Sequence, residues 1–305
     1  MHPAPSIILF TTLSGLGYGL AAMLGLGLLD PAHIATKVGH LLALALIAAG
    51  LLSSTAHLGN PQRAWRALSQ WRSSWLSREG VMAIATFIPL TWLAWLAVIE
   101  SRYVSLPGLL GTAMSAGTVI CTAMIYASLR SVQAWNTRLT PACFLLFSAA
   151  GGLVLTAFLA ACSGMLTPLK TVAALVMLAA AWAVKVKWRA RMNELSTLST
   201  PESATGLGTM GQVRLFERPH MTENYLTREM GFRVGRKHAA KLWNVALIAG
   251  VVTPAVLLVA AAAMGPGGAF AILFSALAAL SFVLGILAER WLFFAEARHA
   301  LMNYY

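Results

Sequence analysis

The sequence predicts an all-α integral membrane protein, a bundle of eight transmembrane helices. Hydrophobic residues make up 58% of the 305 positions and charged residues only 10%, whereas soluble domains average about 45–50% and about 25%. Eight apolar runs follow one another, each of about the 20 residues that cross a bilayer. The composition excludes a soluble globular enzyme, a disordered tail and a disulfide-stapled secreted module. We therefore treat residues 1–305 as a single membrane domain.

The apolar runs predict where the helices lie. In chain order they cover residues 6–29, 37–57, 80–100, 108–129, 141–162, 168–188, 240–264 and 268–294. Pro107, Pro141 and Pro168 stand at or just before the starts of three runs, where the missing N–H of proline costs little. The first basic residue is Lys37. The first run thus lacks the basic segment of a signal peptide and is expected to remain as a helix.

Residues 189–239 are polar and interrupt the series of apolar runs. A connection of about fifty residues is far longer than usual, and such loops are generally functional or disordered. The second half of this loop mixes charged residues with Phe216, Tyr225 and Phe232. Two interpretations remain open: a solvated loop with one interfacial helix, or a surface that becomes ordered against a partner.

The basic residues are concentrated on one side of the predicted membrane. When the spans alternate in direction, 19 of the 22 Lys and Arg residues fall on the side that carries both termini. The other side holds Lys37, Arg102 and Lys170. Basic loops face the cytoplasm, most strictly where the loops are short. We therefore expect both termini in the cytoplasm, and we attribute the net charge of +12 to membrane topology rather than to nucleic-acid binding.

The most informative polar cluster follows the second run, in the stretch SSTAHLGNPQRAWRALSQWRSSWLSREG. His57 ends an apolar helix, Gly59 helps to stop it, Arg63 and Trp65 follow in the loop, and Glu79 opens the third helix. An ionisable residue near lipid depth is a functional hypothesis by default. A quinone site needs an apolar slot, hydrogen-bond partners for the carbonyls, and groups that exchange protons, such as His with its pKa near 6.5. An interfacial loop with Arg on phospholipid headgroups would explain the same spacing.

Haem and metal are not expected on this chain. His40 and His57 lie on one predicted helix, 17 residues apart and thus roughly 25 Å along its axis, so they cannot ligate one haem. The Glu296-x-x-His299 pair resembles half of a di-iron motif, but the other spans lack matching carboxylates. Glu and Lys are almost absent from the middle of the predicted spans. This leaves little for an ion relay, although a membrane transporter remains the alternative from another functional class.

The motifs of this chain resemble those of a known family. The run HLGNPQRAWRAL after a helix, followed by SREG at the start of the next, resembles the membrane anchor subunit of DMSO-reductase-type molybdoenzymes, the DmsC family. The opening PAPSIILFTTLSGLGYGL and the closing ERWLFFAEARH look like the branch found with sulfite dehydrogenase complexes. The resemblance covers essentially the whole chain.

The resemblance implies a function and its partners. In that family an eight-helix anchor holds an iron–sulfur subunit and a molybdopterin catalytic subunit on one membrane face, exchanges electrons with quinone and carries no haem. The quinone-site residues of the family fall on His57 and Glu79, and its Gly and Arg positions fall on Gly59 and Arg63. Trp65 replaces an aromatic residue that is often Phe. The loop 189–239 is then expected to dock the iron–sulfur subunit.

One departure from the DMSO reductase pattern concerns sidedness. In that complex the catalytic subunits face the periplasm, whereas the corresponding end here carries the basic residues and should face the cytoplasm of a bacterial inner membrane. This fits the sulfite dehydrogenase branch, in which electrons would pass from sulfite to quinone. A quinol-oxidising anchor of a DMSO-type reductase is the alternative within the family. The choice between ubiquinone and menaquinone stays open.

Overall fold

The chain forms a bundle of long helices. A computed structural model describes residues 3–55, 60–196, 199–214 and 238–304, with positions 216, 217, 222, 224 and 230. This described part contains eight helices that are long and apolar enough to cross a membrane, and no strand. We number them α1 Pro5–Gly25, α2 Ile34–Thr55, α3 Trp75–Val98, α4 Ser105–Ala127, α5 Leu139–Cys162, α6 Pro168–Glu194, α7 Ala239–Ala263 and α8 Ala269–Ala295. Each coincides with one predicted run, which confirms the predicted fold class.

Polar caps explain where two of the helices begin. α6 begins at Pro168 as predicted, since the Thr167 hydroxyl accepts from the Lys170 N–H at 3.4 Å and proline needs no partner there. α3 begins at Trp75, five residues before the predicted start. Ser74 is the reason, because its side chain accepts from the N–H of Ser77 and so starts the helix in the polar segment.

α6 extends six residues beyond its predicted end, through Glu194. The predicted span ended at residue 188, just before Arg189 and Arg191. The helix continues past it because α8 and the residue after it supply carboxylates to the basic side chains of α6: Lys185 pairs with Glu289 at 2.6 Å and Arg189 with Glu296 at 2.7 Å. The long loop therefore begins after residue 194. A short helix, Pro201–Thr205, follows in it.

A widened turn interrupts α7. Residues Ile248–Val252 form a π-helical segment between two α-helical parts. Pro254 lacks the N–H that would bond to the carbonyl of Gly250, four residues earlier. That carbonyl instead accepts from the indole N–H of Trp182 on α6 at 3.0 Å. The proline thus exposes a backbone acceptor that joins α7 to α6.

α1 lies at the centre of the bundle, in contact with α2, α4, α5 and α8. Its approach to α5 depends on two glycines. A Cβ atom on Gly19 would overlap the carbonyl of Ser148, and one on Gly152 would overlap the backbone of Gly19. Small residues allow such close helix packing in lipid, where burial of apolar surface provides no driving force between helices.

The sequential helices are neighbours and alternate in direction: Ser53 near the end of α2 donates to the carbonyl of Ser6 near the start of α1, and Tyr103 just before α4 donates to that of Gly25 at the end of α1. The starts of α1, α3, α5 and α7 and the ends of α2, α4, α6 and α8 therefore lie at one end of the bundle, which we call the site end. An aromatic cluster of Tyr126, Trp135, Phe144, Phe293 and Phe294 packs there between α4, α5 and α8. The Trp135 indole donates to the carbonyl of Phe293 at 3.0 Å and so holds the loop after α4 against α8.

Candidate functional site

Glu79 is a buried carboxylic acid at the site end. It is the fifth residue of α3, and only 6% of its surface is exposed. The 3-10 helix Pro61–Gln70 packs over this start of α3: the Ser77 hydroxyl donates to the carbonyl of Ala67, and Leu68 lies against Gly80. Within the described part of the chain, Oε1 of Glu79 has no hydrogen-bond partner. Such an atom is a site for a water or a ligand, because buried polar atoms are rarely left unpaired.

The neighbours of Glu79 come from α1 and α4. Thr122 lies beside the carboxyl group, and Tyr18 and Tyr126 are close enough to interact with it electrostatically. Thr118 and Thr122 are four residues apart and so share one face of α4. Sequence reasoning missed these residues, although a run of hydroxyl side chains at helical spacing in an apolar span was a visible signal.

A small cavity with hydroxyl and apolar side chains on its walls lies next to this group. Its volume is about 20 Å³, which is enough for one or two water molecules. Tyr18, Thr122, Ser148 and Arg290 are among the residues that line it. A quinone ring does not fit in this space, so the cavity is a place for water and the ring would have to lie elsewhere around Glu79.

A cluster of three charged side chains is buried beside the cavity. Glu289 pairs with Lys185 at 2.6 Å and with the Nε of Arg290 at 3.0 Å. Their exposed fractions are 1% for Lys185, 0% for Glu289 and 3% for Arg290. The guanidinium lies over the Phe144 ring at 4.0 Å and the Lys185 ammonium over the Trp188 ring at 3.8 Å. We call these three residues the charge cluster.

The charge cluster corrects where the sequence analysis placed two basic residues. Glu and Lys are almost absent from the middle of the predicted spans, and Lys185, Glu289 and Arg290 lie near the ends of α6 and α8, but they are buried there. The charge count had assigned Lys185 and Arg290 to the membrane boundary. Pairing across α6 and α8 carries them into the bundle instead, because a charge with a close partner costs less to bury. The adjacent Glu289 and Arg290 in an apolar run were the available signal.

A second ion pair lies one turn closer to the site-end surface. Arg189 donates to Glu296 at 2.7 Å, and its guanidinium lies over the Trp243 ring. A pocket of about 350 Å³ opens beside it, lined by residues such as Asn193, Glu296 and His299. Partial burial lowers the pKa of His299, whose Nδ1 accepts from the N–H of Leu301 at 3.1 Å. Among the described residues, no group of His, Cys, Asp and Glu is arranged to hold a metal.

The predicted site residues differ in where they lie, and two of them are not described by the structure. His57 and Gly59 lie outside the described residues. Arg63 and Trp65 are on the surface of the 3-10 helix, where 66% of Trp65 is exposed and Arg66 lies over its ring at 5.5 Å. Of the predicted residues that the structure describes, Glu79 lies inside the bundle. Their roles in quinone binding stay predictions.

The fold and this site define a class of protein, a multi-pass helical membrane protein whose buried polar groups gather at one end of the bundle. The family model of the DMSO reductase anchor subunit (DmsC) matches residues 1–295. The chain is also 35% identical to a protein of Allochromatium vinosum that is named as a subunit of sulfite dehydrogenase, over 100% of this chain and 99% of that protein. This chain therefore belongs to the DmsC family of anchor subunits. No solved structure matches it.

Proposed function

We propose that this chain is the quinone-reactive anchor of a complex with an iron–sulfur subunit and a molybdopterin catalytic subunit, and that it passes electrons from the iron–sulfur subunit to quinone. The likeness to the sulfite dehydrogenase protein over the full length of both chains supports sulfite as the electron donor. No site for that oxyanion is proposed on this chain. In this proposal the molybdopterin and the iron–sulfur clusters reside on the partner subunits.

The observation that carries the proposal is the unpaired oxygen of Glu79. Reduction of a quinone to a quinol consumes two electrons and two protons. Glu79 is buried at the end of a span, next to hydroxyl groups, and Oε1 is available to a ligand. The carboxyl group can therefore donate a hydrogen bond to a quinone oxygen when protonated and release that proton as the quinol forms. His57, by the family resemblance, is the second proton-exchanging residue.

The charge distribution supports the orientation of the complex. The site end carries 19 of the 22 basic residues, so we place it, both termini and the catalytic subunits on the cytoplasmic side of a bacterial inner membrane. The loop 189–239 lies on the same side and is proposed to dock the iron–sulfur subunit. Protons for quinone reduction would then come from the cytoplasm.

The test is Glu79→Gln in the assembled complex. We expect sulfite-driven quinone reduction to fall toward the lower end of the range of about 10²–10⁴-fold that positioned acids contribute, since the amide keeps a hydrogen bond but cannot titrate. Reduction of a soluble dye by sulfite should be unchanged, because that path bypasses the anchor. Glu100→Gln is the matched control: Glu100 lies beyond the opposite end of α3, partly exposed and paired with Arg102 at 2.6 Å.

Three outcomes contradict parts of the proposal. Normal quinone reduction by Glu79→Gln would remove Glu79 from the site. Equal losses in Glu79→Gln and Glu100→Gln would show a general defect of the anchor. Quinol oxidation coupled to DMSO reduction, with no sulfite oxidation, would assign the chain to the reductase branch.

A further inference from the structure

The charge cluster has an excess of positive charge. Lys185 and Arg290 contribute two positive charges and Glu289 one negative charge, so the cluster has a formal charge of +1 in an environment that is almost wholly buried. An unbalanced charge in the interior is costly. A second buried carboxylate nearby would balance it.

Glu79 is the acid that can supply this charge. Among the described residues, the carboxyl side chains classed as buried belong to Glu79 and Glu289, and Glu289 is already in the cluster. Thr86 on α3 lies 2.9 Å from Thr118 on α4, so the antiparallel register brings Glu79, two turns before Thr86, near Tyr126, two turns after Thr118. Tyr126 stacks on Phe144, and the Arg290 guanidinium lies over that ring at 4.0 Å. Thr122 connects them as well, because it lies beside Glu79 and lines the cavity that Arg290 also lines.

The cavity lined by Thr122 and Arg290 is equipped to hold water. Its lining includes the hydroxyls of Thr12 and Tyr18, both of which are buried and have no hydrogen-bond partner within the described part of the chain. A water needs polar partners and a space of at least about 10–15 Å³. The cavity meets both conditions. Water there would join the guanidinium of Arg290 to the group of hydroxyls around Glu79.

We propose that the charge cluster is the counter-charge of the Glu79 carboxylate and acts on it through the water cavity. Arg290 is then a positioning residue for the quinone reaction, and this role rests on the proposed function of Glu79. When Glu79 gives its proton to the reduced quinone, its negative charge is balanced by the cluster until a proton from the aqueous phase restores the acid. The electrons come from the iron–sulfur subunit.

The other titratable side chains near Glu79 belong to α1, to α4 and to α3 itself. The side chains that interact with it electrostatically include Tyr18 on α1 and Cys121 and Tyr126 on α4, and Arg78 precedes it on its own helix. The arginines of the 3-10 helix are exposed to solvent. Charges at an exposed surface are screened far more than buried ones. Among the described residues, the Lys and Arg side chains classed as buried are those of Lys185 and Arg290 in the cluster.

The experiment changes the charge of the cluster in both directions. Arg290→Gln lowers its formal charge to zero, Glu289→Gln raises it to +2, and the double variant Glu289→Gln/Arg290→Gln restores +1. Two readouts are taken on the assembled complex. One is the pH dependence of quinone reduction, and the other is the infrared carbonyl band of protonated Glu79, identified by its loss in Glu79→Gln.

An electrostatic role predicts shifts of opposite sign. The midpoint of Glu79 protonation should move up by about one pH unit in Arg290→Gln and down by a similar amount in Glu289→Gln, because each substitution removes one buried unit charge of opposite sign. It should stay near the wild-type value in the double variant. A purely structural role of the cluster would leave the midpoint unchanged or would lower the yield of complex alike in all three variants.

An unchanged midpoint, or an equal loss of assembled complex in all three variants, would overturn the inference. If Arg290→Gln does not assemble, the comparison of Glu289→Gln with the double variant still tests the sign. The infrared band reports on Glu79 whether or not quinone is reduced there. An infrared shift with normal quinone reduction in Glu79→Gln would uphold the counter-charge and reject the quinone site.

Discussion

Two buried carboxylates at the site end differ in what surrounds them. Glu289 forms ion pairs with Lys185 at 2.6 Å and with Arg290 at 3.0 Å. Glu79 is almost as deeply buried, but it forms no ion pair with any residue that the structure describes, and its Oε1 accepts no hydrogen bond from them. A paired buried charge is a structural feature that resists change. An unpaired one is costly to retain, and this cost is best explained by a ligand or a proton-exchange role.

The role proposed for His57 is tested by removing its imidazole. His57→Ala should lower quinone-linked turnover by about 10²–10⁴-fold, because it removes a titrating group, and should also weaken quinone binding through a lost hydrogen bond worth about 0.5–3 kcal/mol. Steady-state kinetics on the assembled complex separate the two effects, since loss of the proton carrier lowers kcat and loss of binding raises KM.

His33→Asn is the control for this change, because His33 lies at the opposite end of the bundle, where its Nδ1 accepts from the N–H of Ala35 and an asparagine side chain can accept the same bond. It should leave both kinetic parameters at their wild-type values. Normal turnover in a fully assembled His57→Ala complex would return His57 to the role of an interfacial residue.

At the scale of elements, the 3-10 helix Pro61–Gln70 matters most for the site. It carries exposed Arg and Trp residues on its surface and contacts the start of α3 through Ala67 and Leu68. This helix covers the turn of α3 from which Glu79 points into the bundle. The polar connection between α2 and α3 thus forms a cover over the site as well as a link between two spans.

The contact between α1 and α5 is expected to be sensitive to a single methyl group. Gly19→Ala should force the two helices apart, because the new methyl group would overlap the backbone of Ser148. Overpacking of this kind typically costs about 1–3 kcal/mol. Gly15→Ala, one turn away on the same helix, is the control, since a Cβ atom there meets nothing within 4 Å.

Thermal unfolding of the purified complex in detergent measures the effect of both substitutions. We expect a lower midpoint for Gly19→Ala and an unchanged or slightly higher one for Gly15→Ala, because alanine favours helix over glycine. Equal stability of the two variants would show that α1 and α5 do not pack as closely as the structure has them.

At the scale of the whole molecule, the two ends of the bundle differ in charge. The site end combines the basic loops, the buried acid and the second ion pair, whereas the opposite end carries few charges. Electrons from a partner docked on the basic face and protons from the same aqueous phase would therefore reach Glu79 from one side. The architecture suits an anchor that takes up both at a single surface.

The orientation in the membrane can be tested with a reporter that is active only in the cytoplasm. Fused after Tyr305, it should be active, because alternation of the spans predicts 19 of the 22 basic residues on that side. The same reporter inserted at Ser101, in the loop between α3 and α4, should be inactive. The reverse pattern would place the site end in the periplasm and favour the DMSO-reductase arrangement.

The sequence by itself determined the fold class and the number of spans. Hydropathy is a local property, and a run of about 20 apolar residues has few other stable states in a bilayer. All eight runs therefore correspond to helices, and Pro168 marks its helix start correctly. The motif around residues 57–79 also drew attention to Glu79, because a carboxylate beside an apolar span is unusual in any context; its role at a quinone site stays a prediction.

Only the tertiary structure decided which polar groups meet. Lys185 and Glu289 form an ion pair although they are far apart in the sequence. Tyr18 reaches the surroundings of Glu79 because α1 and α3 both pack on α4. The exposure of Trp65 and the water cavity likewise depend on how helices pack. No local pattern encodes these distances. The energy of a buried charge depends on partners that other helices supply, so the charge cluster became visible only in the folded bundle.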